Sequence, residues 1–560
     1  MASLTKSKTL FGFTSPRTLE KIIPEIDLLN QHFSGKIWSG NEPLQAEFFK
    51  TLSKSNFYQG SKQTSNPALA ARDRITRAPK SLGFIDLSPN IQLTEIGKVL
   101  LSKKRLDETI TRQLLKFQLP SHYHTQSSII EFKVKPYLEL LRIIFDLESI
   151  SKTEIALFFT QLTHIDKYDS IIQQIKDFRE NAKKFKGSRK LYVAKCFETV
   201  VMDIYADEFA AKSFKTRESK INSRKKFIQT KSSNMKDYAD AFSRYIRSTE
   251  LVTFQKKTFH LIISPQKYDE VKYILETVKR EPQEFETLSA FKEFLFSPSS
   301  VSLLSDNQQL LIKKIKSLGY SKSLGEQSCE ELKDLLSSIQ QQIKKENISK
   351  QTKALKQPSL LPEIINIFDK IKNKEIPDAP LFLEWNVWRA LVMLNYAKRI
   401  EGNFISDIDG MPINYAPGQK PDIEAEYDNF GLITEVTMSS GNTQFNMEGE
   451  SVPRHFGKAK EALGKDTYCL FVAPKISEGA LAHYFNLNKN HTKLYGGQTK
   501  IIPLSIEQFI EFLQAGLYYK FNNPNKLQAW LEAQWKDNQI CNDEEVWSSN
   551  IASSIPKWAA

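Results

Sequence analysis

Cysteine is scarce in this chain: four in 560 residues, Cys196, Cys329, Cys469 and Cys541, widely scattered and with no Cys-x-x-Cys pair. That spacing argues against structural zinc and for a reducing interior. Long apolar runs are lacking as well. No stretch of about eighteen apolar residues is available to span a bilayer, and the N-terminal MASLTKSKTLFGF lacks the continuous apolar core of a secretion signal. A cytoplasmic protein with no membrane partner is expected. No nucleotide-binding glycine loop is evident, which argues against ATP-driven translocation. No aromatic RNP box occurs, which argues against RNA processing.

What the chain does have is length, apolar content and positive charge. Its 560 residues suffice for three or four domains, each burying its own core. Hydrophobic residues at 40% and aromatics at 11% describe a globular protein, and a formal net charge of +13 points to a polyanionic partner. The surplus of base lies in the earlier two thirds, whereas from about Asp378 onward Asp and Glu outnumber Lys and Arg. Binding and chemistry are therefore expected in different parts of the chain.

In the N-terminal part, SPRTLEKIIPEIDLLNQHF opens on a Ser-Pro cap and sets Ile22, Ile23, Ile26 and Leu29 on roughly one helical face. NEPLQAEFFKTLSKS, opening on Asn41, is a second helix. In ARDRITRAPKSLGFIDLSPNIQLTEIGKVLL two short β-like runs flank Ser88-Pro89-Asn90 before a closing helix. Helices followed by a small hairpin are the order of a winged helix, which lays one helix in the major groove and its wing along the backbone. A second unit repeats this order. SKTEIALFFTQL carries a capping box, Ser151 with Glu154, and the helix expected from Asn234, NMKDYADAFSRYIRSTE, leads into two apolar runs about Gln255-Lys256-Lys257.

Basic segments, KKFKGSRK at 183 and the stretch Lys212 to Lys236, surround these units. A solvated helix face accounts for any single lysine as well as a phosphate contact does. For reading bases the arginine fork is favoured, since it bridges the two acceptors of guanine. The candidates are Arg72, Arg74, Arg77, Arg224, Arg244 and Arg247. From Tyr268 to Ile376 the text turns to Lys, Glu, Gln and Ser with periodic Leu and Ile, either a helical connector or a helical bundle with no spacing role. KQPSLLPEI marks a bend in it.

The C-terminal part holds the stretch on which the chemistry is expected to depend, PDIEAEYDNFGLITEVTMSSGNTQFNMEGESVPR from Pro421 to Arg454. Phe430 to Val436 is too short and too β-favouring for a helix, and Glu435 lies near its end. The spacing allows a hairpin turn to bring Asp422 back beside Glu435, two hard oxygen ligands of the kind that hold Mg²⁺ while most of its waters stay bound. Pro-Asp alone usually marks no more than a turn. Glu448, Glu450 and, upstream, Glu384 strengthen the metal reading, because clustered carboxylates need a cation. Trp385, Trp388 and Leu391 read as packing, and His455 as structural or as a group that moves a proton. TYCLFVAP is a strand expected beside that of Glu435, TKIIPLS a further strand, and SIEQFIEFLQAGLYY a covering helix.

The run about Asp422 and Glu435 resembles the PD-(D/E)-x-K nuclease motif. Longer words, LEWNVWRAL at 383, APGQKPDIE at 416, TEVTMSSGNTQFNMEGESVPRHF at 434, YCLFVAP at 468 and TKIIPLS at 499, with SPRTLEKIIPE at 15 and ARDRITRAPKSLGF at 71, resemble the AlwI family of type IIS restriction endonucleases. That family includes site-specific nicking enzymes. The resemblance implies a multidomain α+β protein: winged-helix-like DNA-recognition modules at 1–145 and 146–267, a helical linker at 268–376 and an α/β nuclease core at 377–560. It also implies recognition of a short asymmetric duplex site, GGATC-like or GAGTC-like, and Mg²⁺-dependent hydrolysis a few nucleotides outside it, leaving a 5′-phosphate. A double-strand break would need a second copy or a partner nuclease subunit.

The family's acidic cluster falls on Glu384, Asp422, Glu435 and Glu448, with Asp422, Glu435 and Glu384 toward the metal. One position departs from the general motif: Thr437 stands where Lys is usual, so no fixed positive charge assists the water there. This leaves the general base open between hydroxide on the metal and Glu448. Thr437 also keeps an inactive DNA-binding regulator open as an alternative, and a single catalytic centre leaves open a strand-specific nicking enzyme.

Overall fold

The computed structural model describes residues 4, 7–16, 18–55, 57–58, 64–124, 131–394 and 396–560. Helices predominate and the strands are gathered into one five-stranded sheet and four two-stranded ones, giving a mixed α+β chain. It divides into two compact units, Met1–Gln341 and Gln342–Ala560.

In the first unit, helix α1 (Leu19–Phe33) buries Ile22, Ile23, Ile26 and Leu29 on one face. It starts at Leu19 with Thr18 at the N-cap rather than at Ser15-Pro16, and it runs on through Pro24. Helix α2 (Glu42–Lys54) is capped by Asn41, whose side chain accepts the Leu44 N–H. After α3 (Pro67–Ile75) come β1 (Ile85–Asp86) and β2 (Gln92–Leu93), antiparallel about Ser88-Pro89-Asn90, and then α4 (Glu95–Leu101). Phe33, Trp38, Phe48, Leu52, Ile75 and Ile85 form a common core.

The second helix-and-hairpin order is present too. Helix α5 (Lys152–Leu157) has the Ser151–Glu154 capping box, and α6 (Tyr168–Lys184), α7 (Arg189–Ile204) and α8 (Arg224–Arg247) follow. Helix α8 begins ten residues before Asn234 because Ser223, not Asn234, accepts the free N–H of its first turn. It leads to the antiparallel pair β3 (Val252–Phe254) and β4 (Leu261–Ile263).

Residues 268–341 pack within this first unit instead of standing apart as a linker. Phe291 and Leu295 cluster with Tyr123, and Arg112 grips Asp306 at 2.6 and 2.8 Å. Leu311, Ile315, Leu324, Leu332 and Leu336 form a small core of their own. The 27-residue helix α9 (Cys329–Leu355) carries the chain across the boundary at 341/342, and a short turn at Pro358–Leu360 makes the bend before α10 (Leu361–Lys372).

The second unit is built on a sheet in the order β9-β8-β7-β6-β5. Helix α11 (Ala379–Leu394) precedes β5 (Arg399–Gly402), β6 (Ile423–Glu426) and β7 (Phe430–Val436), which pair antiparallel in turn. Helix α12 (Gly441–Leu463) then crosses to β8 (Asp466–Ala473), parallel to β7, and β9 (Ile501–Ser505) lies parallel at the edge beside β8, followed by α13 (Ile506–Tyr518). Strands β7 and β8 are buried along almost their whole length, as central parallel strands covered on both faces must be. Trp385, Trp388 and Leu391 are buried in packing. No helix of the described residues is long and apolar enough to cross a membrane.

Candidate active site

The β6–β7 hairpin performs the juxtaposition that the sequence suggests. Ile423 pairs with Thr434, so Asp422, one residue earlier, falls beside Glu435, and its Oδ2 accepts the Val436 N–H at 2.8 Å. Glu435 thus sits near the carboxyl end of a central strand, where α/β sheets place reactive groups. Glu384 arrives from the second turn of α11, with Oε2 accepting the Ala416 N–H at 3.4 Å. Glu448 arrives from α12, held by the Ser451 hydroxyl at 3.3 Å and by Thr437.

All four carboxyls are mostly or wholly buried, and all four are pushed up from the ordinary carboxylate range. Burial is the largest cause for each. Repulsion links them as well: Asp422 raises Glu384, Glu435 raises Asp422, and Glu448 raises both Asp422 and Glu435. Arg454 pulls Glu435 the other way, while its own guanidinium is held by the exposed Glu450 at 2.9 Å. The structure therefore sets Glu450 outside the group and the other four within it.

Among the described residues, no three His, Cys, Asp or Glu side chains close into a ready-made metal cage. The donor chemistry nonetheless fits a hard divalent cation, because Mg²⁺ is typically bound by one or two carboxylates with waters and substrate phosphates completing its shell. Buried carboxylates that raise one another also leave an excess of negative charge for such an ion to offset.

His455 is the side chain beside the group that the sequence left ambiguous. Its Nδ1 lies 2.8 Å from Glu435 Oε1, and with Glu435 ionised it is the Nδ1–H that donates. Burial, with Arg454 and Lys458 nearby, lowers its pKa to about 4, so the imidazole is neutral. Nε2 is then a buried acceptor without a hydrogen-bond partner among the described residues. The signal was the spacing of seven residues from Glu448, two helical turns, which puts both on one face of α12. Reading it required knowing that 441–463 is helical despite Gly449, Pro453 and Gly457. Thr437 is buried with its backbone N–H on Val472 O at 3.0 Å, so it braces Glu448 and brings no charge.

The candidate base-reading arginines separate into two groups. Arg74 is bound through Nε (3.0 Å) and its terminal nitrogen to the buried Glu25, Arg244 is bound to Asp240 at 2.8 Å, and Arg247 is buried over the Phe254 ring. Their forks serve the fold of the first unit. Arg72 (Glu42 at 3.6 Å), Arg77 (Asp73 at 2.8 Å) and Arg224 (Glu198 at 3.4 Å) are engaged closer to the surface. Arg74→Ala would strand Glu25 in the core. The expected cost is roughly 3–5 kcal/mol of stability, read as a drop in the denaturant midpoint, while the DNA affinity of the folded fraction stays at the parent value.

Residues 80–512 match the family model described as AlwI restriction endonuclease. Among solved structures, the small subunit (R.BspD6I2) of the heterodimeric restriction endonuclease R.BspD6I is 27% identical over 35% of this chain and 99% of its own, with a TM-score of 0.31. The BpuJ1 endonuclease binding domain, solved with pyrene- and phenanthrene-modified DNA, is 12% identical over 52% of this chain and 97% of its own, with a TM-score of 0.33. No curated protein matches. A match over most of the chain defines the class, a DNA-cleaving restriction enzyme and hence a site-specific deoxyribonuclease. The chain belongs to the AlwI restriction endonuclease family.

Proposed function

We propose that this chain is a type IIS restriction endonuclease that binds a short asymmetric duplex site through winged-helix-like modules in the first unit. On this reading a PD-(D/E)xK core in the second unit hydrolyses a phosphodiester a few nucleotides away. The observation that carries the reading is the meeting of Asp422 and Glu435 at one end of the β6–β7 hairpin, with Glu384 and Glu448 beside them.

Asp422 and Glu435 would hold Mg²⁺, with Glu384 assisting directly or through water. A bound Mg²⁺ would offset the phosphate charge and make a coordinated water more acidic. Glu448, braced by Thr437 and Ser451 and pushed up from the ordinary carboxylate range by burial, accepts the proton of the attacking water. His455 keeps Glu435 oriented through its Nδ1–H bond, so that the carboxylate's other oxygen stays available. One such centre cuts one strand, and a second copy or a partner nuclease subunit supplies the second cut.

Purified protein incubated with plasmid and Mg²⁺ is expected to give nicked circles first and linear DNA later, with run-off sequencing placing every end at a fixed offset from one short word. Ends scattered over the plasmid, or no scission with Mg²⁺, would defeat the proposal. Nicked circles that never become linear, from a protein sedimenting as a monomer on DNA, would identify a strand-specific nicking enzyme instead.

A further inference from the structure

The first unit contains a groove of about 650 Å³ walled by α6, the start of α7 and His260 at the entry to β4. Lys176, Arg179 and Lys183, spaced three and four residues apart, form a single stripe on α6, and Arg189 stands across from them as the first residue of α7. Four cationic side chains thus face two carboxylates, Glu154 and Glu180.

Those side chains have different duties. Arg179 forms the floor: its Nε donates to Glu154 Oε1 at 2.7 Å and its terminal nitrogen to Glu154 Oε2 at 3.2 Å and to Ser149 O at 2.7 Å. Glu154 is itself buried and fixed by the α5 capping box, so the floor is rigid. Lys183 shares the exposed Glu180 at 2.7 Å, a surface pair that a stronger anion replaces at little cost. Lys176 and Arg189 are exposed, and among the described residues neither has a carboxylate within ion-pair distance. A rigid, neutralised floor between uncompensated cations is built for a polyanion that lies along the groove, not for a small anion held at a point.

We propose that this groove seats the phosphodiester backbone of duplex DNA, with Lys176 and Arg189 on phosphates and Arg179 shaping the floor between them. The assignment rests on the reading of the first unit as the DNA-binding part. It adds a sequence-independent contact surface, separate from any base-reading arginine, that sets affinity and salt dependence and leaves the choice of site to other residues.

The test is fluorescence anisotropy of the full-length protein on labelled duplexes of unrelated sequence, titrated with KCl. Each lost phosphate contact lowers the slope of log K against log salt by about 0.9. The double variant Lys176→Ala/Arg189→Ala is therefore expected to lose about 1.8 from that slope and to bind every sequence more weakly by a similar factor. Its melting curve stays at the parent position, since neither side chain supports the fold. A doubly substituted control on another exposed face, Lys313→Ala/Lys316→Ala, keeps the parent slope. An unchanged slope in the groove variant, or an equal loss in the control, overturns the groove while leaving the nuclease assignment standing. A parent protein that cleaves no DNA, or binds none, overturns both.

Discussion

Asp422→Asn is expected to abolish cleavage while leaving the protein folded and at least as stable as the parent. Asparagine keeps the acceptor that receives the Val436 N–H but removes one of several buried like charges that now raise one another. The fold thus loses a repulsion and no contact. The chemistry loses a hard ligand worth several kcal/mol of charge stabilisation, which at about 1.4 kcal/mol per tenfold corresponds to a fall on the order of 10³-fold in rate. Plasmid cleavage and a thermal melt on the same preparation check both halves. Scission at the parent rate would remove Asp422 from the active site, and a large drop in melting temperature would give it a structural role instead.

The second large effect is on stability and follows from the same four carboxyls. Glu384, Asp422, Glu435 and Glu448 all have folded-state pKa values above their ordinary ones, so between the two values the folded protein holds more protons than the unfolded chain. The stability that these four groups contribute is then fully present below the ordinary carboxylate range and is lost as pH rises through the raised values. A cation bound to the ionised group reverses that loss by mass action, about 2.7 kcal/mol at a hundredfold excess over its dissociation constant. The melting temperature in EDTA is expected to lie well below that in Mg²⁺ at about pH 8, with the gap narrowing toward about pH 5 as the site protonates. The difference with and without Mg²⁺ isolates this site from every other titrating group. A gap that is absent, or that widens as pH falls, would remove the metal from the cluster.

Much of this site was legible in the sequence because its central part is local. Asp422 and Glu435 are joined by one hairpin, and an apolar β-favouring run with a turn before it admits few registers. Glu384 and Glu448 entered as nearby acids that a shared cation would need, and only the family resemblance set them apart from Glu450. His455 was noticed but left between two roles, because glycines and a proline hide the long helix that carries it. The arginines were the weakest inference. Arg74, Arg244 and Arg247 look like nucleic-acid readers in a basic chain, yet Arg74 holds the buried carboxylate of Glu25, Arg244 holds Asp240, and Arg247 lies buried over Phe254. The choice between connector and bundle for 268–376 stayed open for a related reason: its sparse Leu and Ile suffice to bury one narrow stripe, and whether that stripe meets a neighbour is not a local property.

The sequence alone determined the elements whose causes lie within a few residues: the capped helices at Asn41 and Ser151, the hairpin at Ser88-Pro89-Asn90, and the strand that carries Glu435 near its end. It determined as well that a basic front part precedes an acidic one. Only the tertiary structure decided which charges are spent inside the protein and which face outward, because an ion pair such as Arg74–Glu25 joins residues 49 positions apart. The same holds for the burial that raises four carboxyls together, since desolvation comes from every element packed around a group and none of that is written beside it in the chain.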